Sequence, residues 1–248
     1  MKYINKYKSP NYNSRNSSKI KIIIIHYTAL KNTTDGISYL CNKVNKVSSH
    51  YFISQDGTVY SLVDDKFRAW HAGQSYWEGR TDINSISIGI ELDYSPYGKN
   101  NKYSKKMISS LKKLLIKIQK KYEISKNHIL AHSDVAPFRK KDPGKYFPWK
   151  ILRNEKIILN FQYVTKKNRK IIECWFNKYN IKSKKRIIIF ALSLIGDDTR
   201  RVYKNLKDYN RLITAYKSRY VTELTYVNQE TVYTNIINHL FKNLLTKN

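Results

Sequence analysis

The sequence predicts an α/β fold, a mixed β-sheet flanked by helices with a small C-terminal all-helical domain behind it. Three observations carry that prediction. Short β-branched runs alternate with segments of helical period through the first 150 residues. All five prolines and seven of the eight glycines fall before residue 150. Beyond that point the chain keeps amphipathic spacing almost without punctuation, which is the pattern of packed helices.

In chain order, residues 19–27 (KIKIIIIHY) read as a buried strand that ends in a histidine. HYFIS and TVYSLV, separated by Gln-Asp-Gly, read as a hairpin. Residues 85–92 (SISIGIEL) read as a further strand, with Gly89 marking a bulge or a close approach. Between Ser104 and Tyr122, Met107, Leu111, Leu114, Leu115 and Ile118 recur at helical spacing behind a serine N-cap, and the lysines fall on the solvated side. A short strand at 128–132 (HILAH) leads into the Pro-rich, charged loop that closes on Phe-Pro-Trp at 147–149; that apolar frame argues for an ordered, functional loop. Residues 164–170 (VTKKNRK) read as a linker, followed by helices over about 169–180, 184–195, 206–219 and 229–245, the last behind an Asn228 cap.

Hydrophobic content of 41% with 13% aromatics supports a real core and excludes disorder. The net charge of +29 invites a polyanion. It is spread over both halves, +16 on residues 1–155 and +13 on 156–248, and accompanies a chain-wide excess of Lys, Asn, Ile and Tyr. No basic stripe stands out, so no specific nucleic-acid partner is expected. Cys41 and Cys174 lie far apart without a CxxC and are expected to be free, buried thiols. The N-terminus has no apolar h-region, and the apolar run at 187–196 is too short to span a bilayer. A cytoplasmic monomer is expected as the chain is written, or a periplasmic one if a leader is missing.

The chemistry concentrates in the first part. A hydrolytic zinc site needs three protein ligands and one open position. His26 closes the first strand and His132 the last, with Asp134 and Asp142 nearby. Spacing alone leaves open whether these are ligands or ordinary satisfied histidines. Glu91 falls on the same strand face as Gly89, Ser87 and Ser85, so it is either a salt-bridged strand end or a general base. Lys140, two residues before Asp142, could stabilise an oxyanion. His239 lies among apolar neighbours and reads as packed.

The run IIIIHYTA, then the 48–92 segment containing AWHAG and SIGIEL, then ILAHSDVAPFRKKDPGKYFPW resembles, in order and spacing, the zinc-dependent N-acetylmuramoyl-L-alanine amidases of the type 2 amidase family. These are relatives of peptidoglycan recognition proteins and of phage T7 lysozyme, and the resemblance covers about residues 9–152. It implies one Zn²⁺ held by His26, His132 and Asp142, with Glu91 and Lys140 as the catalytic pair. It implies that His71 and Asn84 belong to the substrate groove, with a structural role as the alternative for His71, and that His50 and Asp134 support the site. Lys141 departs from the threonine common in relatives, without removing a ligand. SPNYNSR and the added helices are similar to the two-domain lipoprotein-type branch, which implies a catalytic domain over 1–160 and a peptidoglycan-binding-like domain over 161–248. The implied function is hydrolysis of the amide between N-acetylmuramic acid and L-alanine in peptidoglycan or muropeptides during cell-wall turnover. The alternative is a silent muropeptide-recognition module.

Overall fold

The computed structural model describes residues 2–97, 102–161, 164–221 and 228–245. Its elements are β1 (Tyr3–Ile4), β2 (Tyr12–Ser14), β3 (Ile22–Tyr27), α1 (Thr33–Cys41), β4 (Tyr51–Ile53), β5 (Val59–Ser61), β6 (Phe67–Ala69), α2 (Ile83–Ile86) and β7 (Ser87–Leu92). They continue with α3 (Lys105–Tyr122), β8 (Ile129–Ala131), α4 (His132–Val135), α5 (Trp149–Asn154), α6 (Lys166–Lys178), α7 (Lys184–Ile195), α8 (Leu206–Tyr220) and α9 (Gln229–Leu245). The main sheet runs β1-β5-β4-β7-β3-β8, and β2 pairs with β6 in a separate ribbon.

β4, β7, β3 and β8 are parallel, while β4 and β5 form the expected antiparallel hairpin. Parallel strands are covered on both faces, which is why β3 is a continuous run of isoleucine up to His26, while β7 alternates Ile88, Ile90 and Leu92 with Ser87, Gly89 and Glu91. Ile23 and Ile25 face α3 through Met107, Leu111, Leu114, Leu115 and Ile118. Ile22 and Ile24, with Leu130, share one core with α7, α8 and α9. The Ser104 cap is as read, its Oγ accepting from the Met107 amide at 3.0 Å.

The predicted strand at 85–92 begins two residues late, because Ser85 and Ile86 close the short helix α2. The predicted linker at 164–170 is helical from Lys166 onward. Thr165 caps α6 by accepting from the Asn168 amide at 3.2 Å, and Lys and Arg are good helix formers once capped. Both cysteines are free, but Cys41 is half-buried and Cys174 exposed, so the expectation of buried thiols fails. Phase on the helix decides this: α6 buries Ile172 and Phe176 and turns Cys174 away. His239 is packed as read, stacked on Phe161 with ring centroids 4.4 Å apart.

One contact ties the C-terminal helices to the loop after β8. Arg219 of α8 is 2% exposed. Its guanidinium pairs with Asp134, donates to the Ile129 carbonyl at 2.6 Å, and lies over the rings of Trp149 and Tyr220 at 4.6 Å from each. Removing one partner of such a pair strands a buried charge. Arg219→Met is expected to lower the unfolding free energy by about 3–5 kcal/mol in urea titration. A loss below about 1 kcal/mol would show that the pair bears no weight.

Candidate active site at the carboxyl ends of three parallel strands

In open α/β sheets, sites form beyond the carboxyl ends of parallel strands. The register of β7, β3 and β8 puts three of the predicted residues there. His26 lies opposite Glu91, and Ile25 lies opposite Ala131, the residue before His132. Asp142 arrives from the loop beyond α4, fastened by a bond from the Ser133 amide to the Asp142 carbonyl at 3.0 Å. The Tyr103 hydroxyl donates to the next carbonyl, that of Pro143, at 2.7 Å. Trp149 at the far end of the loop is 1% exposed and anchors in the core, edge-on to Phe147.

His26, His132 and Asp142 therefore converge. The two Nδ1 atoms are 2.9 Å apart, and Asp142 Oδ2 lies 2.9 Å from that of His132 and 3.2 Å from that of His26. These three side chains form the one His/Cys/Asp/Glu group among the described residues with metal-holding geometry. A tetrahedral zinc with bonds of ~2.0–2.1 Å needs ligand atoms about 3.3 Å apart, which a slight expansion of this cluster provides. Two facing Nδ1 atoms can share at most one proton between neutral rings, so a cation fits the donor set better than the bare contact does.

The surrounding bonds fix the tautomers that a cation needs. His132 Nε2 donates to the Ala72 carbonyl at 3.1 Å, which leaves its Nδ1 lone pair facing the cluster. His26 Nε2 donates to His71 Nδ1 at 3.0 Å, and His71 Nε2 lies 3.2 Å from Ser87 Oγ, which donates to the Ile83 carbonyl at 2.7 Å. Burial, reinforced by neighbouring His132, lowers His26 to about 4, with Asp142 opposing. Burial and the adjacent His26 and His50 hold His71 well below its ordinary range. Both rings are thus neutral near pH 7, the state that binds metal. Burial pushes Asp142 upward, but His132 and His26 overcome it and hold the carboxyl well below the usual carboxylate range.

Glu91 stands beside the cluster with Oε2 enclosed and without a hydrogen-bond partner. Burial and the Asp142 charge raise it to about 8, against the pull of Lys140. Lys140 itself is exposed on the loop. Gly89 makes the close approach that its position suggests, since a Cβ there would overlap the His71 ring.

His71 and Asn84 are 8% and 6% exposed, and neither opens broadly into a groove. The Asn84 carboxamide oxygen accepts from the amides of His71 and Ala72 at 3.1 and 2.7 Å, so it shapes the turn that carries His71. His50 Nδ1 accepts from the Gly89 amide at 3.0 Å, and Asp134 accepts from the Ala131 amide at 2.7 Å as well as from Arg219. Sequence reasoning missed Arg15. Its buried guanidinium donates to the carbonyls of Asp65, Asn84, Ser85 and Ser87 at 2.8–3.0 Å, tying the N-terminal segment under β7. The SPNYNSR segment that contains it was the available signal.

Comparison with known proteins agrees with this geometry. A family model described as N-acetylmuramoyl-L-alanine amidase matches residues 16–145. N-acetylmuramoyl-L-alanine amidase AmiD of Escherichia coli is 37% identical over 153 residues, 56% of this chain and 54% of AmiD, so the chain spans about half the length of that relative. 1,6-Anhydro-N-acetylmuramyl-L-alanine amidase AmpD of Haemophilus influenzae is 34% identical over 161 residues, 57% of this chain and 85% of AmpD. The solved structure of E. coli AmiD with the substrate anhydro-N-acetylmuramic acid-L-Ala-D-γ-Glu-L-Lys superposes with a TM-score of 0.72 at 25% identity, covering 98% of this chain and 93% of that one. On the family match and the cover of AmpD, this chain belongs to the N-acetylmuramoyl-L-alanine amidase family, the type 2 amidases.

Proposed function

We propose that the protein is a zinc-dependent amidase that hydrolyses the amide between N-acetylmuramic acid and L-alanine in peptidoglycan or its muropeptide fragments. The observation that carries this reading is the convergence of His26, His132 and Asp142 within 3.2 Å, beside an enclosed, unpartnered Glu91. The three ligand candidates would hold the ion. When bound, zinc supplies a Lewis acid for the amide carbonyl and for water. Glu91 takes the proton of the attacking water and delivers it to the leaving alanine nitrogen, a cycle suited to a carboxyl held near neutrality. Lys140 meets the oxyanion as it develops. His71 orients His26, and Asn84 holds the turn under His71. A catalytic part over 1–160 and a helical part over 161–248 is the division that goes with this reading. No described helix is long and apolar enough to cross a membrane.

The test is mass spectrometry of defined muropeptides, with anhydro and with reducing ends, before and after chelation. Cleavage at the lactyl amide, abolished by chelator and restored by zinc, is expected; cleavage indifferent to chelator would refute the metal assignment. Binding without cleavage by the zinc-loaded chain would mark a recognition module instead. Lys140→Ala is expected to retain zinc and lose ~10²–10³ in kcat, the scale for one oxyanion stabiliser. Unchanged kcat would remove Lys140 from the mechanism.

A further inference from the structure

A cavity of about 850 Å³ lies between the 133–146 loop and α8. Tyr27, Ser133 and Pro143 of its lining are the chain neighbours of His26, His132 and Asp142, and Lys140, whose charge acts on both His26 and Glu91, lines it as well. Lys140, Lys141 and Lys145 line it from the loop, and Lys207 and Arg211 from α8. No aspartate or glutamate is among its described lining residues. Lys207 and Arg211 are four residues apart and share one helix face. Arg211 also donates to Asp208 at 3.2 Å, but Asp208 is 1% exposed and stays behind the wall. That wall is fixed in place, because Ser218 of the lining precedes Arg219, which is locked into the loop through Asp134.

We infer that this cavity seats the peptide half of the substrate, and that Lys207 and Arg211 of the C-terminal helices select for its free carboxylates. The inference rests on the amidase reading and adds a division of the substrate to it. In a muramoyl-L-Ala-D-γ-Glu-L-Lys compound the sugar is neutral, because its lactyl carboxyl is consumed in the amide. The peptide carries the γ-linked glutamate's α-carboxylate, the terminal carboxylate and one ammonium, a net negative charge. A wall whose described residues include five cations and no carboxylate attracts that half and not the sugar. The helical part thereby takes part in the catalytic cleft, in addition to covering a sheet face.

The test compares hydrolysis of a muramoyl tripeptide having free carboxylates with that of its amidated form, on zinc-loaded wild type and on Lys207→Glu. Lys207 is exposed in the first turn of α8, where a glutamate suits the helix dipole, so the variant is expected to fold. For wild type, KM is expected to be about tenfold lower for the acidic substrate, a preference that erodes with salt. Lys207→Glu should raise KM for the acidic substrate alone, with kcat unchanged. Equal KM values on wild type, or a preference that survives Lys207→Glu combined with Arg211→Gln, would overturn the cavity assignment and leave the amidase reading standing. If zinc-loaded wild type cleaves neither compound, the amidase reading fails, and calorimetric titration with the free acidic tripeptide then decides the cavity. Binding weakened by Lys207→Glu supports it, and no binding refutes it.

Discussion

Asp142→Ala is expected to release zinc and abolish hydrolysis together. Asp142 Oδ2 touches both imidazole Nδ1 atoms, so its removal leaves two facing rings 2.9 Å apart without the carboxylate that closes the ligand set. Changing an outer hydrogen-bond partner typically costs ~10–100-fold in metal affinity, and losing an inner anionic ligand should cost more than ~100-fold. Zinc measured by mass spectrometry after dialysis should fall from stoichiometric to background, with turnover following it. A variant that keeps one zinc per chain and its turnover would break the proposed ligand set. Acid should act in the same direction. Burial places His26 at about 4 in the folded chain, below the ordinary 6.5, so the unfolded chain binds more protons between those values. The His26 contribution to the stability of the metal-free protein should therefore fall as pH drops from 6.5 toward 4, against the opposite contribution of Glu91 above 4.5, and the depressed Asp142 extends the loss below 3.8. Thermal melts across that range read the slope.

What the sequence made legible follows from locality. The run IIIIHY announces a buried strand because burial on both faces demands continuous apolar β-branched residues, and SIGIEL announces one by alternating Ile88, Ile90 and Leu92 with Ser87, Gly89 and Glu91. Ser104 and the apolar stripe behind it announce α3 for an equally local reason. The convergence of His26 with His132, 106 residues away, has no local signature, and the family resemblance alone assembled it. Arg15 and Arg219 stayed hidden for a related reason. Each is a single cation in a lysine- and arginine-rich chain, and its partners are backbone carbonyls or a carboxylate brought near only by folding. The His71–Ser87 link was equally silent, because it follows from how the AWHAG turn lies across β7 over Gly89. Residues 164–170 read as a linker from their charge density, and only the Thr165 cap, a single residue, argues that the helix expected from about 169 already starts at Lys166.

Glu91→Gln separates chemistry from metal binding. The glutamine keeps the shape at the end of β7 but offers no carboxylate to take a proton. Because Glu91 is outside the three-residue cluster, zinc content should stay stoichiometric while kcat falls by ~10²–10⁴, the range for a general acid–base group. The same substitution should also raise the stability of the metal-free chain. In wild type, folding moves Glu91 from 4.5 to about 8, so between those values the folded protein binds more protons than the unfolded one, and its stability declines as pH rises. Glutamine carries no such penalty. The melting temperature of the variant should exceed that of wild type at pH 7, and the gap should close near pH 4, where the carboxyl is protonated in both states. A purely structural glutamate, held by an ion pair, would give the opposite sign: loss of stability at pH 7 and little loss of turnover. Near-wild-type turnover with zinc bound would remove Glu91 from the reaction, and a melting gap that shrinks as pH rises would contradict the enclosed, unpartnered Oε2 on which its role depends.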